Sequence, residues 1–248
     1  MTARLFVDAE DTALASGATL SLSANAARHV QVLRLQPGAP LILFDGRGGQ
    51  WRAEVVDIGR KQVLARVLGH EAHEAELPVA VTLALGMPAN ERMDALVEKA
   101  TELGAASLQP LVTTRSVLRV AGERAQRKAR HWQAIAQAAC EQCGRNRVPA
   151  VAEPSSLADW LAQPLAPAGR GLLLSLDPHA APLLPWLQAH PTTSLVLLSG
   201  PEGGLTAQEQ AAAQALGYVP VSLGARTLRA DTAPMAAMAC IAAMVANA

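Results

Sequence analysis

From Val79 onward, short uninterrupted apolar runs alternate with amphipathic segments, and this rhythm constrains the fold more than any other feature of the chain. "VAVTLALG" (Val79–Gly86), "ASLQPLVT" (Ala106–Thr113), "GLLLSL" (Gly171–Leu176), "TSLVLLS" (Thr193–Ser199) and "YVPVSLG" (Tyr218–Gly224) are apolar at successive positions. Such runs have no side suited to water and read as strands of a parallel sheet covered on both faces. Between them, "NERMDALVEKATELG" spaces Met93, Leu96, Val97, Ala100 and Leu103 on one helical face, with Asn90 as cap and Gly104 as terminator. Further helices are expected around "HWQAIAQAACEQCGR" (His131–Arg145), over "TAQEQAAAQALG" (Thr206–Gly217) and over the terminal "TAPMAAMACIAAMVANA" (Thr232–Ala248). Thr206 and Glu209 form a T-x-x-E capping box that sets the start of the second of these. The pattern is that of an α/β domain, whose ligands belong at the carboxyl ends of the strands.

The region before Val79 follows a different pattern. "LILFDGRGGQWRAEVVDI" (Leu41–Ile58) reads as two strands joined by the turn Asp45-Gly46-Arg47-Gly48-Gly49, and "QVLARVL" (Gln62–Leu68) as a third. "SANAARHVQVLRL" places Ala26, Val30 and Leu33 at helical intervals behind a Ser/Asn cap. A small barrel fits these elements, and the acidic "HEAHEAELP" (His70–Pro78) reads as a linker. A chain of 248 residues, 50% hydrophobic, can bury such cores as one large domain or two smaller ones.

Charge is balanced overall, at 21 Lys/Arg against 21 Asp/Glu, but it is segregated. Met1–Glu76 carries eight basic and nine acidic residues, Leu77–Ala150 ten and six, and Val151–Ala248 three and six. The middle of the chain contains "RSVLRVAGERAQRKAR" (Arg115–Arg130), with six basic residues against Glu123 alone. That is either a footprint for a phosphate backbone or a solvated helix face.

The N-terminus places Asp8, Glu10 and Asp11 where an export signal needs an apolar run, so a cytoplasmic protein is expected. Three cysteines suit a reducing compartment. "CEQC" (Cys140–Cys143) has no second pair and no ligand-spaced His, so packing on a helix is the expectation and no metal site is expected. The terminal helix is apolar on all sides but Ala-rich, short for a membrane span and interrupted by Pro234, which suggests burial at an oligomer interface.

Chemistry is concentrated in two glycine loops at strand ends, "LSGPEGGLT" (Leu198–Thr206) and "LGARTLRADTA" (Leu223–Ala233). Strand, glycine turn and helix N-terminus usually hold an anion, because free N–H groups and the helix dipole converge there. Glu202 opposes a polyphosphate, and the Lys-Ser/Thr of a Walker loop is missing. Neither a G-x-G-x-x-G dinucleotide fingerprint nor a G-x-S-x-G elbow follows any strand. Glu202, Arg226, Arg229 and Asp231 lie together on the two loops and mark a candidate site for a different ligand.

"GPEGGLTAQE" (Gly200–Glu209) and "LGARTLRADTA" resemble the signature loops of the SPOUT-class 16S ribosomal RNA uracil-N3 methyltransferases, the ribosomal small-subunit methyltransferase E family. "ERMDALVEKATELGAASLQPLVTTRS" (Glu91–Ser116), "AACEQCGRNRVP" (Ala138–Pro149) and "HVQVLRLQPGAPLILFDGRGGQW" (His29–Trp51) resemble family segments too, so the likeness covers nearly the whole chain. It implies a PUA-like RNA-binding barrel over residues 1–74 and a SPOUT-type parallel sheet with a C-terminal trefoil knot over residues 75–248. It also implies a homodimer through the C-terminal domain, S-adenosylmethionine as cofactor, and 16S rRNA or the small ribosomal subunit as partner. The expected cofactor contacts are Leu198, Ser199, Gly200, Glu202, Gly203, Leu223, Gly224, Leu228, Thr232 and Ala233. Expected RNA contacts are Arg34, Arg47, Arg115, Arg124, Arg127, Lys128, Gln142 and Arg145.

The cationic sulfonium and amine of that cofactor make Glu202 tolerable, whereas a plain backbone-capping role for Glu202 is the alternative. The chain departs from the family pattern at Ala89, where Lys is common, at Asp231, where Glu is common, and at Cys143, where Ser is common. Methylation of uracil N3 requires removal of a proton and stabilisation of charge on the uracil oxygens, which assigns Asp231 as candidate base and Arg229 as candidate stabiliser. Competing readings are methylation of another RNA position, a non-catalytic ribosome-assembly factor and, more remotely, a nucleotide-dependent hydrolase.

Overall fold

The computed structural model describes residues 2–8, 14–60, 62–165 and 169–245. Its contacts divide the chain into two units, Met1–Glu76 with Gln137–Val148, and Leu77–Ala136 with Pro149–Ala248.

The first unit contains β1 (Ala3–Phe6), β2 (Thr19–Ser21), α1 (Ala24–Val32), β3 (Pro40–Phe44), β4 (Gln50–Ile58) and β5 (Val63–Glu71). They form one sheet in the order β1-β3-β4-β5-β2, with β1 parallel to β3 and every other pairing antiparallel. The expected hairpin is present, and its turn relies on Gly46, Gly48 and Gly49 at positive φ. β4 shifts register against β5 twice, at Arg52/Ala53 and Val55/Asp57, the kind of irregularity that bends a strand. Inward residues of alternate strand positions, among them Leu5, Leu41, Leu43, Val55, Val63 and Val67, pack with Val30 of α1. Ser23 caps α1 through its hydroxyl. Leu33 falls beyond the helix as its C-cap and is 46% exposed, so the buried stripe is Ala26, Ala27 and Val30 rather than the expected trio.

The second unit begins with β6 (Ala80–Gly86), α2 (Asn90–Glu102) and β7 (Ser107–Val112). α2 is capped by Ala89, with Asn90 its first helical residue, so the helix starts one position earlier than expected. α3 runs from Gly122 to Cys143, so the basic stretch from Glu123 to Arg130 belongs to the same helix as the "HWQAIAQAAC" segment. Its apolar stripe, Ala125, Ala129, Trp132, Ala136 and Ala139, is built mostly of alanine, which hid the helical period among the arginines. There follow β8 (Ala150–Val151), β9 (Ser155–Ser156), α4 (Leu157–Leu161), β10 (Gly169–Leu174), β11 (Ala181–Pro182) and α5 (Leu183–Ala189). β12 (Ser194–Ser199), α6 (Ala207–Ala215), β13 (Val219–Ser222) and α7 (Thr232–Val245) complete the unit.

All strand pairings of this unit are parallel, in the order β11-β13-β10-β12-β6-β7-β8, with β9 also on β7. The chain steps from β10 past β11 to β12 and then returns across β10 to place β13 on its other side. That reversal of strand order is a topological switch point, where the loops at the strand ends separate and leave a crevice. α7 packs on β12, α2 and α5 of its own chain, with Met238 fully buried among them. Among the described residues no helix is long and apolar enough to cross a membrane.

Candidate functional site

A cavity of about 730 Å³ opens at the carboxyl ends of β10, β12 and β13. Each strand contributes a wall: Leu173–Leu176 from β10 and the residues after it, Ser199–Leu205 from the end of β12, and Val221, Leu223, Gly224 and Arg226–Ala230 from β13 onward. Ala233 of α7, Gln210 of α6, Arg92 of α2 and Arg115 after β7 complete the lining.

The β12 loop is shaped by its glycines. A Cβ on Gly200 would lie 2.8 Å from the Leu205 amide nitrogen, a backbone atom that cannot yield. Gly204 adopts φ +66 while its N–H donates to the Pro201 carbonyl at 2.8 Å. Gly86, at the end of β6, has no Cβ because one would strike Pro201 at 2.6 Å. The loop therefore runs close to other backbone on two sides. Past it, Thr206 and Glu209 form the expected capping box, and Glu209 reaches further to accept the Thr114 N–H at 2.8 Å. Burial pulls the Glu209 carboxyl upward, but the Thr114 and Thr206 N–H groups and hydroxyls outweigh it and hold the pKa below its ordinary value.

Glu202 sits on the cavity wall with its charge compensated. Its Oε1 accepts the Ala89 N–H at 3.1 Å and lies 3.5 Å from Arg92 Nη1. Arg115 Nη1 donates to the Gly203 carbonyl at 2.8 Å on the same loop. Thus the carboxylate within the glycine turn faces a guanidinium from α2, and the turn remains compatible with a ligand that is not strongly anionic.

The fold gathers most of the cofactor positions named from sequence: Ser199, Gly200, Glu202, Gly203, Leu223, Gly224, Leu228 and Ala233 all line the cavity, as does Arg229. Leu198, Thr232 and Asp231 lie off the lining. Strand alternation turns Leu198 into the apolar core beside Leu173 and Ala213. Thr232 and Asp231 are displaced by a tight turn in which the N–H groups of Thr232 and Ala233 both return to the Arg229 carbonyl, each at 3.0 Å. The β10 wall, Gln210 and Arg92 were not anticipated. β10 was legible as a strand, but its sequence carries no mark of lying between β12 and β13.

The expected RNA contacts separate into three kinds. Arg34, Arg47, Arg124, Arg127 and Gln142 are exposed, with Arg127 paired to Glu123 at 3.2 Å and Lys128 placed 5.9 Å over the Trp132 ring. Arg115 is a wall of the cavity. Arg145 is 3% exposed, and its Nε lies 3.1 Å from both Glu76 carboxylate oxygens, which as placed leaves no open face for RNA. Cys140 is buried, its thiol directed to the Arg147 carbonyl at 3.6 Å, and its pKa is raised by the neighbouring Cys143 and by burial, the reverse of what a redox or ligating thiol needs.

Comparison with known proteins places this geometry in context. A family profile described as an RNA methyltransferase domain matches residues 75–242, and one described as an RNA methyltransferase PUA domain matches residues 22–68. The ribosomal RNA small subunit methyltransferase E of Synechocystis sp. is 38% identical over 232 residues, 92% of this chain and 74% of that protein. That of Bacillus subtilis is 29% identical over 96% of this chain and 95% of its own. The crystal structure of a ribosomal RNA small subunit methyltransferase E from Neisseria gonorrhoeae bound to S-adenosyl methionine superposes with a TM-score of 0.89 and 32% identity, covering 98% of both chains.

Proposed function

The chain belongs to the ribosomal RNA small subunit methyltransferase E family, and from that premise we propose that it methylates N3 of one uridine in 16S rRNA, the decoding-region uridine implied by the resemblance. The observation that carries the reading is the cavity at the switch point, in which two glycine loops and the β10 end enclose a space on whose wall Arg229 stands.

The cavity fits S-adenosylmethionine. Its volume lies within the range of small-molecule sites, roughly 300–1,000 Å³, and the missing Cβ atoms of Gly200 and Gly203 let the loop that lines it fold tightly against Leu205 and Arg115. The residues that would hold it are Ser199, Gly200, Gly203, Leu223, Gly224, Leu228 and Ala233. When bound, the cofactor supplies an activated methyl group. The chain's own residues position the base, stabilise charge and accept the proton. Arg229, with its planar set of donors, stabilises negative charge on the uracil oxygens as the N3 proton leaves. Asp231 accepts that proton only if RNA binding shifts the Arg229–Thr232 turn and brings its carboxylate onto the cavity wall.

The remaining assignments belong to the same proposal. Residues 1–74 form a PUA-like RNA-binding domain, with Arg34 and Arg47 among its contacts, and residues 75–248 form a SPOUT domain with a trefoil knot. Arg124, Arg127 and Lys128 on α3 contact RNA phosphates. The protein works in the cytoplasm as a homodimer through α7. One side of that helix packs within its own chain, while Ala239 on the other side is exposed. Met238, being fully buried in its own chain, is no probe of that interface.

The test is to incubate the protein with labelled S-adenosylmethionine and small subunits from a strain lacking it, then to map the product by mass spectrometry. A single N3-methyluridine is expected. Methylation at another position would overturn the regiochemistry, and cofactor binding without transfer to any RNA would favour the assembly-factor reading.

A further inference from the structure

Two arginines that touch the glycine loop from outside were given no role in holding the cofactor site by the sequence. Arg92 comes from α2 and Arg115 from the segment after β7, and both line the cavity. Arg92 meets Glu202 at 3.5 Å, and Arg115 meets the Gly203 carbonyl at 2.8 Å. The stretch they grip is also held by the Gly204 N–H on the Pro201 carbonyl and by Glu202 on the Ala89 N–H, but its glycines leave the backbone between these points free. Gly203 and Gly204 are adjacent, the second at φ +66, and consecutive glycines carry the largest backbone entropy. The Arg115 side chain also fills the space beside Gly203, with its Cβ 3.1 Å from where a Gly203 Cβ would lie. Arg115 thus both bonds the loop carbonyl and supports the loop by contact.

We propose that Arg92 and Arg115 are positioning residues that set the Glu202–Gly204 loop for cofactor binding, Arg92 through Glu202 and Arg115 through the Gly203 carbonyl. The inference rests on the cofactor reading of the cavity and removes Arg115 from the set of RNA contacts. Two fixed points on either side of one residue step determine the direction of the loop's peptide groups, which a single contact would leave free to pivot. Preorganising the loop raises ligand affinity by removing the ordering cost at the moment of binding. The contribution should appear without RNA present, because both partners of each contact lie in the protein.

The experiment is calorimetric titration of S-adenosylmethionine, in the absence of RNA, into the full chain and into Arg92→Ala, Glu202→Gln, the double variant, Arg115→Ala and Arg115→Lys. Salt-dependent RNA binding is measured in parallel. Arg92→Ala and Arg115→Ala should each bind the cofactor about tenfold more weakly, the factor that 1.4 kcal/mol represents. The Arg92→Ala/Glu202→Gln double variant should be no weaker than the worse single variant, because the two residues act as one unit. Arg115→Lys should recover part of the loss, since it keeps the aliphatic support and one donor. The RNA salt slope should not change. Unaltered cofactor affinity in folded variants, or an RNA salt slope reduced by about one unit in Arg115→Ala, would overturn the proposal. Failure of the wild type to bind S-adenosylmethionine would instead overturn the reading of the cavity.

Discussion

The segment Gln137–Val148 and the loop Ser199–Gly204 look alike as sequence, each setting charge among small residues, yet the fold places that charge in different surroundings. In the first, Arg145 is closed on Glu76, and the fully buried Asn146 accepts from Arg4 and donates to the His73 carbonyl. Glu141 takes the Phe6 N–H, with burial raising its carboxyl above the ordinary value. Arg145, Asn146 and Glu141 each find their partners within the same unit, several of them backbone groups. In the second, Glu202 stands on a cavity wall with Arg92 and Arg115 beside it. Buried charges answered in the interior hold a structure together, whereas the Glu202–Arg92 pair, although also compensated, borders a cavity and so shapes a surface that a ligand can reach.

The largest effect should come from breaking the buried side of this contrast. Arg145→Ala removes a nearly inaccessible guanidinium from Glu76 and should cost about 3 kcal/mol of stability, the low end for a broken buried pair because Glu76 keeps some contact with water. Urea denaturation measures it. If Arg145 were instead an RNA contact, stability would hold and RNA affinity would fall. Gly200→Ala tests the open side: the added methyl meets the Leu205 amide nitrogen, so cofactor affinity should fall roughly 100-fold, about 2.7 kcal/mol, as read by calorimetry. An alanine that binds normally would show that the loop has room the geometry denies.

A smaller effect sharpens the chemistry on the cavity wall. Arg229→Lys loses the planar donor fork and should lower kcat about tenfold with cofactor affinity little changed, since the interaction is made mainly as charge develops. A loss confined to KM would make Arg229 a binding residue. The smallest effect concerns Glu209, whose carboxyl is harder to protonate in the folded state than in the unfolded chain. Its contribution is complete above the unfolded pKa and is lost as pH falls through the lower folded one. Glu209→Ala should therefore be about 1 kcal/mol less stable near neutrality, and the gap should close in acid. Thermal unfolding across that range checks both; a gap that widens in acid would reverse the sign.

Most of the site was legible because its signals are local. Gly200, Gly203 and Gly224 announce tight backbone, Thr206 and Glu209 mark a helix start, and Arg229 stands on the second loop. Asp231 shows the limit of that reasoning. It is one residue from a cavity-lining neighbour yet lies off the wall, within the turn that brings the Thr232 and Ala233 N–H groups back onto the Arg229 carbonyl. Arg145 shows the same limit from the other side, since nothing in "CGRNR" says that its charge is answered by Glu76, far away in the chain.

What the sequence determined by itself were β3 to β7, β10, β12 and β13, most helices and the ends of the two glycine loops, because hydrophobic period, capping and glycine stereochemistry act over a few residues, whereas the short β1, β2, β8, β9 and β11 carry too little pattern to read. The tertiary structure decided that β10 lies between β12 and β13, that Arg92 and Arg115 meet the loop, and which charges are buried. Those outcomes depend on strand order and on contacts between distant segments. They are chosen by the packing of the whole sheet, and no single segment contains them.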